Sequence, residues 1–156
     1  HSQLLSLIPG RVGNYLRTAF YRVSLEHCEP TAIICFGTVL SKAGARIGKH
    51  AYVGPYCMLG LVTLEDEVLL GPNVQIPSGA MTHGIEKTDI PIRLQTGQTK
   101  RIHVGEDSWI GSGGIILANL SPQTVVGAGS VLTRPTDPKS IYAGNPARLI
   151  KKRTTE

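Results

Sequence analysis

The chain has 156 residues, 41% of them apolar, and a formal charge of +5, which is enough for one domain with a continuous core. No apolar run reaches the ~18–20 residues of a membrane-spanning helix, and the 18 glycines follow no Gly-X-Y period, which excludes collagen. The charge is modest and no platform of interleaved basic and aromatic residues accompanies it, so we expect no nucleic-acid partner.

An amphipathic helix is predicted inside an N-terminal helical segment, residues 1–28. It follows a short apolar stretch at 4–8 and the pair Pro9-Gly10, and it runs from Arg11 to Cys28. The apolar residues at helical spacing are Val12, Leu16, Ala19, Phe20 and Val23, with Arg11, Arg17 and Arg22 elsewhere on the wheel. We expect this helix to cap the open end of the domain that follows.

The arginines of this helix, like the basic tail Lys151 to Arg153, could meet a phosphorylated ligand or nucleic acid, but they are interpreted as solvated charges. Docking of the helix on a membrane surface is the alternative, because its arginines alternate with Tyr15, Phe20 and Tyr21. We favour solvated charges over docking on a membrane.

The three cysteines, Cys28, Cys35 and Cys57, form no C-x-x-C pair. We interpret Cys35 and Cys57 as small buried hydrophobic residues. An odd number of cysteines is typical of a reducing compartment, so we expect a cytoplasmic protein.

A six-residue repeat organises the chain from Ile47 to Ala80. An aliphatic residue leads each unit, and a small or β-branched residue follows four positions later. The leading residues are Ile47, Val53, Leu59, Leu64, Leu70 and Ile76, and the small ones are Ala51, Cys57, Thr63, Val68, Val74 and Ala80. A chain that turns a corner every six residues forms a β-solenoid, so a mainly β fold is predicted.

The repeat extends in both directions, with one interruption. Residues 29–46, 47–63 and 64–81 are predicted as three coils, and the ladder resumes at Val104 to give about five coils over residues 29–137. In the first coil we place Cys35 and Ser41 in the leading position, and Ile33, Val39 and Ala45 in the small one. After the break, Val104, Leu120, Val126 and Leu132 lead, with Ser108, Gly114, Thr124 and Ser130 in the small position. The remaining segment, 138–156, is predicted as a turn at Gly144-Asn145-Pro146 and a short helix from Ala147 to Arg153.

The interruption, residues 82–103, is polar and carries no period. A loop of this length in a compact domain is usually functional or disordered. Five short coils also expose large flat faces, so we expect a homo-oligomer that covers one of them.

The repeats resemble the hexapeptide-repeat acyltransferase family, and most closely its sugar and polysaccharide O-acetyltransferases of the maltose, galactoside and xenobiotic type. The resemblance covers roughly residues 30–152 and is carried by IGKHAY, VGPYCM, LGPNVQ, VGEDSW-IGSGGI, VGAGSVLTR and AGNPARLIKK. It implies a left-handed parallel β-helix, against the usual right-handed crossover rule. It further implies a homotrimer with active sites between neighbouring subunits, acetyl-CoA as co-substrate, and no metal.

The resemblance implies that His83, at the root of the excursion, is the general base. A neutral imidazole can take a proton from an acceptor hydroxyl, which then attacks the thioester. The carboxylate that orients the imidazole could be Glu86, Asp89 or Asp66, and the sequence does not choose among them. A solvated loop histidine without a role is the alternative.

The residues that match the family on the CoA side are Trp109, Ser112, Gly113, Ala128, Gly129, Thr133 and Arg134. Trp109 matches the family tryptophan beside the pantetheine arm, the small residues would let the arm run along the solenoid, and Thr133-Arg134 would lie near the phosphates. The alternatives are an outward tryptophan at a subunit contact and simple packing at the corners.

The acceptor is expected to be a sugar hydroxyl in surface polysaccharide or nucleotide-sugar metabolism. The family's upstream asparagine has no counterpart near Gly54 to Cys57, which leaves an amino sugar or serine as alternative acceptors. A non-catalytic solenoid is a further alternative. A metal hydratase is disfavoured because His27, His50, His83 and His103 contain no H-x4-H pair, and His50 and His103 are interpreted as surface residues without partners.

Overall fold

A computed structural model of the chain describes residues 2–154. Two helices come first, α1 at Ser2–Ser6 and α2 at Gly10–Ser24. One 3-10 helix, Ile92–Leu94, lies in the interruption of the repeat. The strands are β1 His27–Cys28, β2 Ile33–Ile34, β3 Val39–Leu40, β4 Arg46–Ile47, β5 Tyr52–Val53, β6 Met58–Leu59, β7 Val62–Leu64, β8 Leu69–Leu70, β9 Gln75–Ile76, β10 Ile102–Val104, β11 Trp109–Ile110, β12 Ile115–Ile116, β13 Val125–Val126, β14 Val131–Leu132, β15 Ser140–Gly144 and β16 Ala147–Lys152.

The strands stack into three parallel sheets, which form the faces of a prism. Face A has the order β1-β4-β7-β10, face B the order β2-β5-β8-β11-β13-β15-β16, and face C the order β3-β6-β9-β12-β14. Each of the first four turns adds one strand to each face. The fifth turn adds β13 and β14 and meets face A through a single bridge between Leu120 and Val104. Among the strands described, β15 and β16 are the one antiparallel pair. The solenoid is therefore confirmed, with five turns and the start of a sixth at β15, instead of the predicted five.

The core contains the leading residues of the repeat. The six leading residues from Ile47 to Ile76 are at most 1% exposed. Two of the predicted small positions are wrong: Val62 is buried instead of Thr63, and Ala80 is exposed. The unit from Leu59 to Thr63 has only five residues, so its inward position comes one residue early.

The register of the first turn also differs from the prediction. Ile34 and Leu40 point inward in place of Cys35 and Ser41, and Ala32 and Thr38 take the small positions in place of Ile33 and Val39. The corner between Leu40 and Ile47 contains one extra residue. A count backward from Ile47 in steps of six therefore gives Ser41 and Cys35, each one residue after the inward residue. Ala45 is assigned correctly. All three cysteines are buried and free.

Helix α2 lies over the first turn and hydrogen-bonds to it through Arg17, Thr18 and Tyr21. It ends at Ser24 and not at the predicted Cys28, because His27–Cys28 is already strand β1. The face that it buries is also different. Arg17, expected to be solvated, is 0% exposed, and Thr18 and Tyr21 are buried beside it. Four residues of the predicted apolar stripe, Val12, Leu16, Ala19 and Val23, lie on the other side of the helix, whereas Phe20 packs against the core.

The predicted C-terminal helix is wrong, because Ala147–Lys152 is strand β16 of a hairpin with β15. Strand β15 stacks in parallel on β13 and would present an unpaired edge. The backbone of β16 pairs with that edge, which a helix would leave without hydrogen-bond partners. Thr155 and Glu156, part of the predicted segment, lie outside the described residues.

Candidate functional site

The long excursion leaves the solenoid at the corner between face C and face A. Its boundaries are 79–101, slightly earlier than the predicted 82–103. Gly79 turns the chain outward with φ +90°, and the Lys100 amide donates to the Ser78 carbonyl at 2.8 Å. The Ile102 amide then donates to the Leu61 carbonyl at 3.0 Å, which returns the chain to the ladder.

His83 lies on the neck of this excursion, where two backbone segments run antiparallel. His83 pairs with Thr96, and the Gln98 amide donates to the Met81 carbonyl at 2.7 Å. At Gly97 any Cβ would overlap the carbonyl of Thr82, so glycine is required for the segments to approach. The neck therefore holds the backbone of His83 in place while its side chain is exposed.

Gln95 organises the distal part of the excursion. Its side-chain amide donates to the carbonyls of Lys87 at 2.7 Å and Ile90 at 2.8 Å. Its Oε1 accepts from the Lys87 amide at 3.0 Å. The sequence carries no signal for Gln95 or Gly97, because the stretch has no period and their partners are set by the loop's own path.

The three carboxylates predicted as partners of His83 lie in two places. Glu86 and Asp89 are exposed in the excursion itself. Asp66 lies at the corner between faces A and B, where its Oδ1 accepts from the Lys49 amide at 2.8 Å. Within residues 2–154, no hydrogen bond joins the imidazole of His83 to any of the three.

Trp109 lies on β11, on the outward side of face B, and is 50% exposed. Its neighbours on the adjacent strands are Leu69 and Val125. With Tyr52 they line a groove of about 400 Å³. The groove therefore presents an apolar floor along face B.

Charged residues border this groove. His50 Nδ1 lies 2.6 Å from Glu67 Oε1, so His50 is a surface residue as predicted but does have a partner. Arg153 Nη1 lies 3.9 Å from Asp107 Oδ2 on the same border.

His103, on face A, is exposed, and its amide donates to Asn119 Oδ1 at 3.0 Å.

Ser112-Gly113 and Ala128-Gly129 stack on one another at the corner between faces B and C. The Gly129 amide donates to the Ser112 carbonyl at 2.9 Å. Gly113 and Gly129 have φ of +69° and +66°, and a Cβ on either would meet no atom within 4 Å. Backbone conformation rather than packing accounts for these glycines, and the corner stays open to solvent.

Thr133 and Arg134 are exposed after β14, at the corner between faces C and A. The excursion that holds His83 leaves from the same corner, two turns earlier. The predicted residues therefore form two groups within one chain. His83 and Thr133-Arg134 lie at the edge of face C that borders face A. The corner glycines lie at the opposite edge of face C, and Trp109 lies farther away, on face B.

Cys28 and Cys57 are unsuited to nucleophilic chemistry. Burial raises the pKa of Cys28 to about 11 and that of Cys57 to about 11. Both thiols are therefore protonated near neutral pH. In the part of the chain that the structure describes, no group of three or more His, Cys, Asp or Glu side chains could hold a metal ion. None of the helices described is long and apolar enough to span a membrane.

Related sequences come from acetyltransferases. A candidate acetyltransferase of Schizosaccharomyces pombe is 31% identical over 138 residues, which cover 85% of this chain and 62% of that protein. Another, of Dictyostelium discoideum, is 41% identical over 130 residues, covering 80% of this chain and 64% of that protein. The chain thus spans slightly less than two thirds of the length of these relatives. Galactoside O-acetyltransferase of Escherichia coli is 24% identical over an alignment of 163 residues, gaps included. That alignment covers 87% of this chain and 77% of that protein. No family model matches the sequence.

Solved structures with the same fold include acetyltransferases. A hexapeptide-repeat acetyltransferase of Vibrio cholerae has a TM-score of 0.79 and 22% identity, over 99% of this chain and 89% of that one. A maltose O-acetyltransferase of Clostridium difficile has a TM-score of 0.77 and 24% identity, over 99% and 83%. The Vibrio cholerae protein has also been solved in complex with acetyl-CoA. These likenesses confirm the predicted fold class, a mainly β solenoid of the left-handed β-helix type.

Proposed function

Because the chain belongs to the hexapeptide-repeat acyltransferase family, we propose that it transfers an acetyl group from acetyl-CoA to a hydroxyl, with His83 as the general base. The observation that carries this proposal is the position of His83. The ladder has one long excursion, and its neck holds the backbone of His83 through the pairing with Thr96 and the close approach of Gly97. The neck thus presents an exposed imidazole beside a rigid solenoid.

In the proposed reaction, the Nε2 or Nδ1 atom of His83 accepts the proton of the acceptor hydroxyl as that oxygen attacks. Acetyl-CoA, when bound, supplies an activated thioester carbonyl. The imidazolium of His83 then returns its proton to the departing thiolate sulfur, which leaves the histidine neutral for the next cycle. Glu86 and Asp89, which follow His83 in the excursion, are the proposed orienting carboxylates. Asp66 is the weaker candidate, because its Oδ1 is engaged at another corner.

The residues proposed for CoA suit an elongated ligand. Trp109 offers a half-exposed aromatic surface, and Ser112, Gly113, Ala128 and Gly129 leave an open corner beside it. Arg134, with Thr133, offers an exposed cation for phosphate. Because face C separates Trp109 from His83 in one chain, we propose that the complete site forms between two subunits of a homotrimer.

A sugar hydroxyl, in surface polysaccharide or nucleotide-sugar metabolism, is the proposed acceptor. The second candidate is an amine of an amino sugar or the hydroxyl of serine. It is favoured by the stretch Gly54 to Cys57, which offers no asparagine to support a sugar-hydroxyl site of the maltose or galactoside type.

The test is release of free thiol from acetyl-CoA in the presence of sugars, nucleotide-sugars, amino sugars or serine. We expect turnover with one class of acceptor, and we expect His83→Ala to lower kcat by ~10²–10⁴. His103→Ala is the matched control, because His103 is an exposed histidine on the regular solenoid, and it should keep full activity. Near-normal turnover by His83→Ala would refute the assignment of the base.

A further inference from the structure

Helix α2 turns a row of apolar side chains away from the solenoid. Val12 is 66% exposed, Leu16 is 42% exposed and Val23 is 86% exposed. With the exposed Ala19 they recur at i, i+4, i+7 and i+11, which places them in one stripe along the helix. We call these four residues the outer stripe. Leu4 of α1, 74% exposed, and Leu7, 64% exposed, add apolar surface at the same end of the molecule.

The chemistry of the cap explains why the outer stripe is not buried. The first turn has no preceding turn to bond with, so the carbonyls of Ala32 and Ile34 and the amide of Leu40 need other partners. The Thr18 hydroxyl donates to Ala32 O at 3.1 Å, and Arg17 Nε donates to Ile34 O at 2.9 Å. The Leu40 amide donates to the Tyr21 hydroxyl at 3.1 Å.

The inward side of α2 must therefore carry polar groups, beside Phe20 and Tyr21, which pack against the core. Rotating the helix to bury the outer stripe would leave these backbone groups without partners inside the protein, which is costly. Exposure of the stripe is thus a consequence of the cap. A continuous apolar strip on a surface helix is typical of a contact site.

The charge around the outer stripe indicates what would cover it. Arg11 and Arg22 lie along one border of the stripe with Tyr15 between them, and all three are exposed. Across residues 2–154, neither arginine takes part in an ion pair. The first 25 residues of the sequence contain no Asp or Glu.

The first acidic residue, Glu26, is bound at 2.8 Å by both Arg46 and Arg101. The surface near the stripe is therefore positive. A second copy of α2 would bring like charges together, whereas the headgroups of anionic lipids would match them.

We propose that α2 docks flat on an anionic lipid bilayer. The outer stripe lies at the boundary of the acyl chains, and Arg11 and Arg22 lie among the headgroup phosphates. Tyr15 suits this depth, because its ring is apolar and its hydroxyl is polar. The proposal does not depend on acetyl transfer, so it can be tested and can fail separately from the proposed function.

The test is flotation of the full chain with vesicles of phosphatidylcholine, alone or mixed with phosphatidylglycerol. We expect binding to the mixed vesicles and little to the neutral ones, with the bound fraction falling as salt rises. Val23→Glu should weaken binding by about tenfold or more, because it places a charge in the stripe. The double variant Arg11→Gln with Arg22→Gln should weaken it by about tenfold to thirtyfold at low salt.

Ile150→Glu is the matched control, because Ile150 is a 60% exposed apolar residue on β16, away from α2; it should bind as the unmodified chain does. Circular dichroism and gel-filtration volume check that each variant folds and assembles. Binding that survives both α2 variants, equal binding to neutral vesicles, or absence of binding would overturn the proposal. A Val23→Glu chain that elutes as a smaller assembly would also overturn it, by assigning the stripe to a second copy.

Discussion

At its N-terminal end the solenoid is capped by the side chains of α2, whereas at its C-terminal end the last strand of face B is covered by the backbone of β16. Both ends face the same problem, because a stack of parallel strands leaves hydrogen-bonding groups unpaired at each end. Arg17, Thr18 and Tyr21 satisfy these groups at the first turn. At the last turn β16 pairs with β15 over most of its length.

The two ends are therefore expected to differ in their sensitivity to mutation. A cap made of side chains depends on the identity of a few residues. A cap that consists of backbone hydrogen bonds depends on the conformation of the main chain, so it tolerates many different side chains. We therefore expect single substitutions to be severe in α2 and mild in β16, unless they remove a backbone donor.

The largest effect is expected for Arg17→Met. The guanidinium donates to the carbonyls of Ile34, Leu5 and Ile8 at 2.9, 3.0 and 2.7 Å. Methionine fills a similar volume but leaves these acceptors without donors, so the free energy of unfolding should fall by about 3–5 kcal/mol. Urea unfolding measures it. Arg22→Met, on the exposed side of the same helix, should stay within about 0.5 kcal/mol. Equal effects of the two variants would contradict the cap described for α2.

A smaller effect is expected for Lys151→Pro. Lys151 pairs with Ile141 across the hairpin. Proline removes its backbone N–H and disturbs the pairing, so we expect a loss of about 2–3 kcal/mol in the free energy of unfolding. Lys151→Ala keeps the N–H and should be nearly neutral. If alanine costs as much as proline, the C-terminal end depends on side chains after all.

The smallest effect is expected at Glu26, which ties the end of the α2 segment to the exit of the excursion. Hydrogen bonds from Arg101 and Arg46 lower the pKa of Glu26. A carboxyl with a lowered pKa stabilises the fold above its unfolded pKa, and this contribution is lost as the pH falls through the folded pKa. Glu26→Gln should therefore melt slightly below the unmodified chain at neutral pH, and the difference in Tm should vanish in acid. A difference that stays constant with pH would exclude the ion pairs as its cause.

Much of the solenoid could be predicted because its signal is local and repeated. The buried residues Ile47, Val53 and Leu59 follow from a period that needs no knowledge of distant contacts. Errors arose where a unit gains or loses a residue, as before Ile47 and at Thr63. The position of His83 at the root of the excursion was also predicted, since a break in a regular pattern can be recognised. Its support by Gln95 and Gly97 could not be, because those contacts depend on how the loop folds back.

The repeat, its interruption and the amphipathic character of α2 follow from the sequence, because periodicity alone encodes them. Which side of α2 is buried, and whether the C-terminal segment is a helix or a strand, depend on tertiary contacts. Both choices depend on unpaired backbone groups at the ends of the stack, which exist only once the turns have assembled. Because Arg17 supplies hydrogen bonds to these groups, it is buried and Val23 is exposed, although the polarity of the two side chains suggests the reverse.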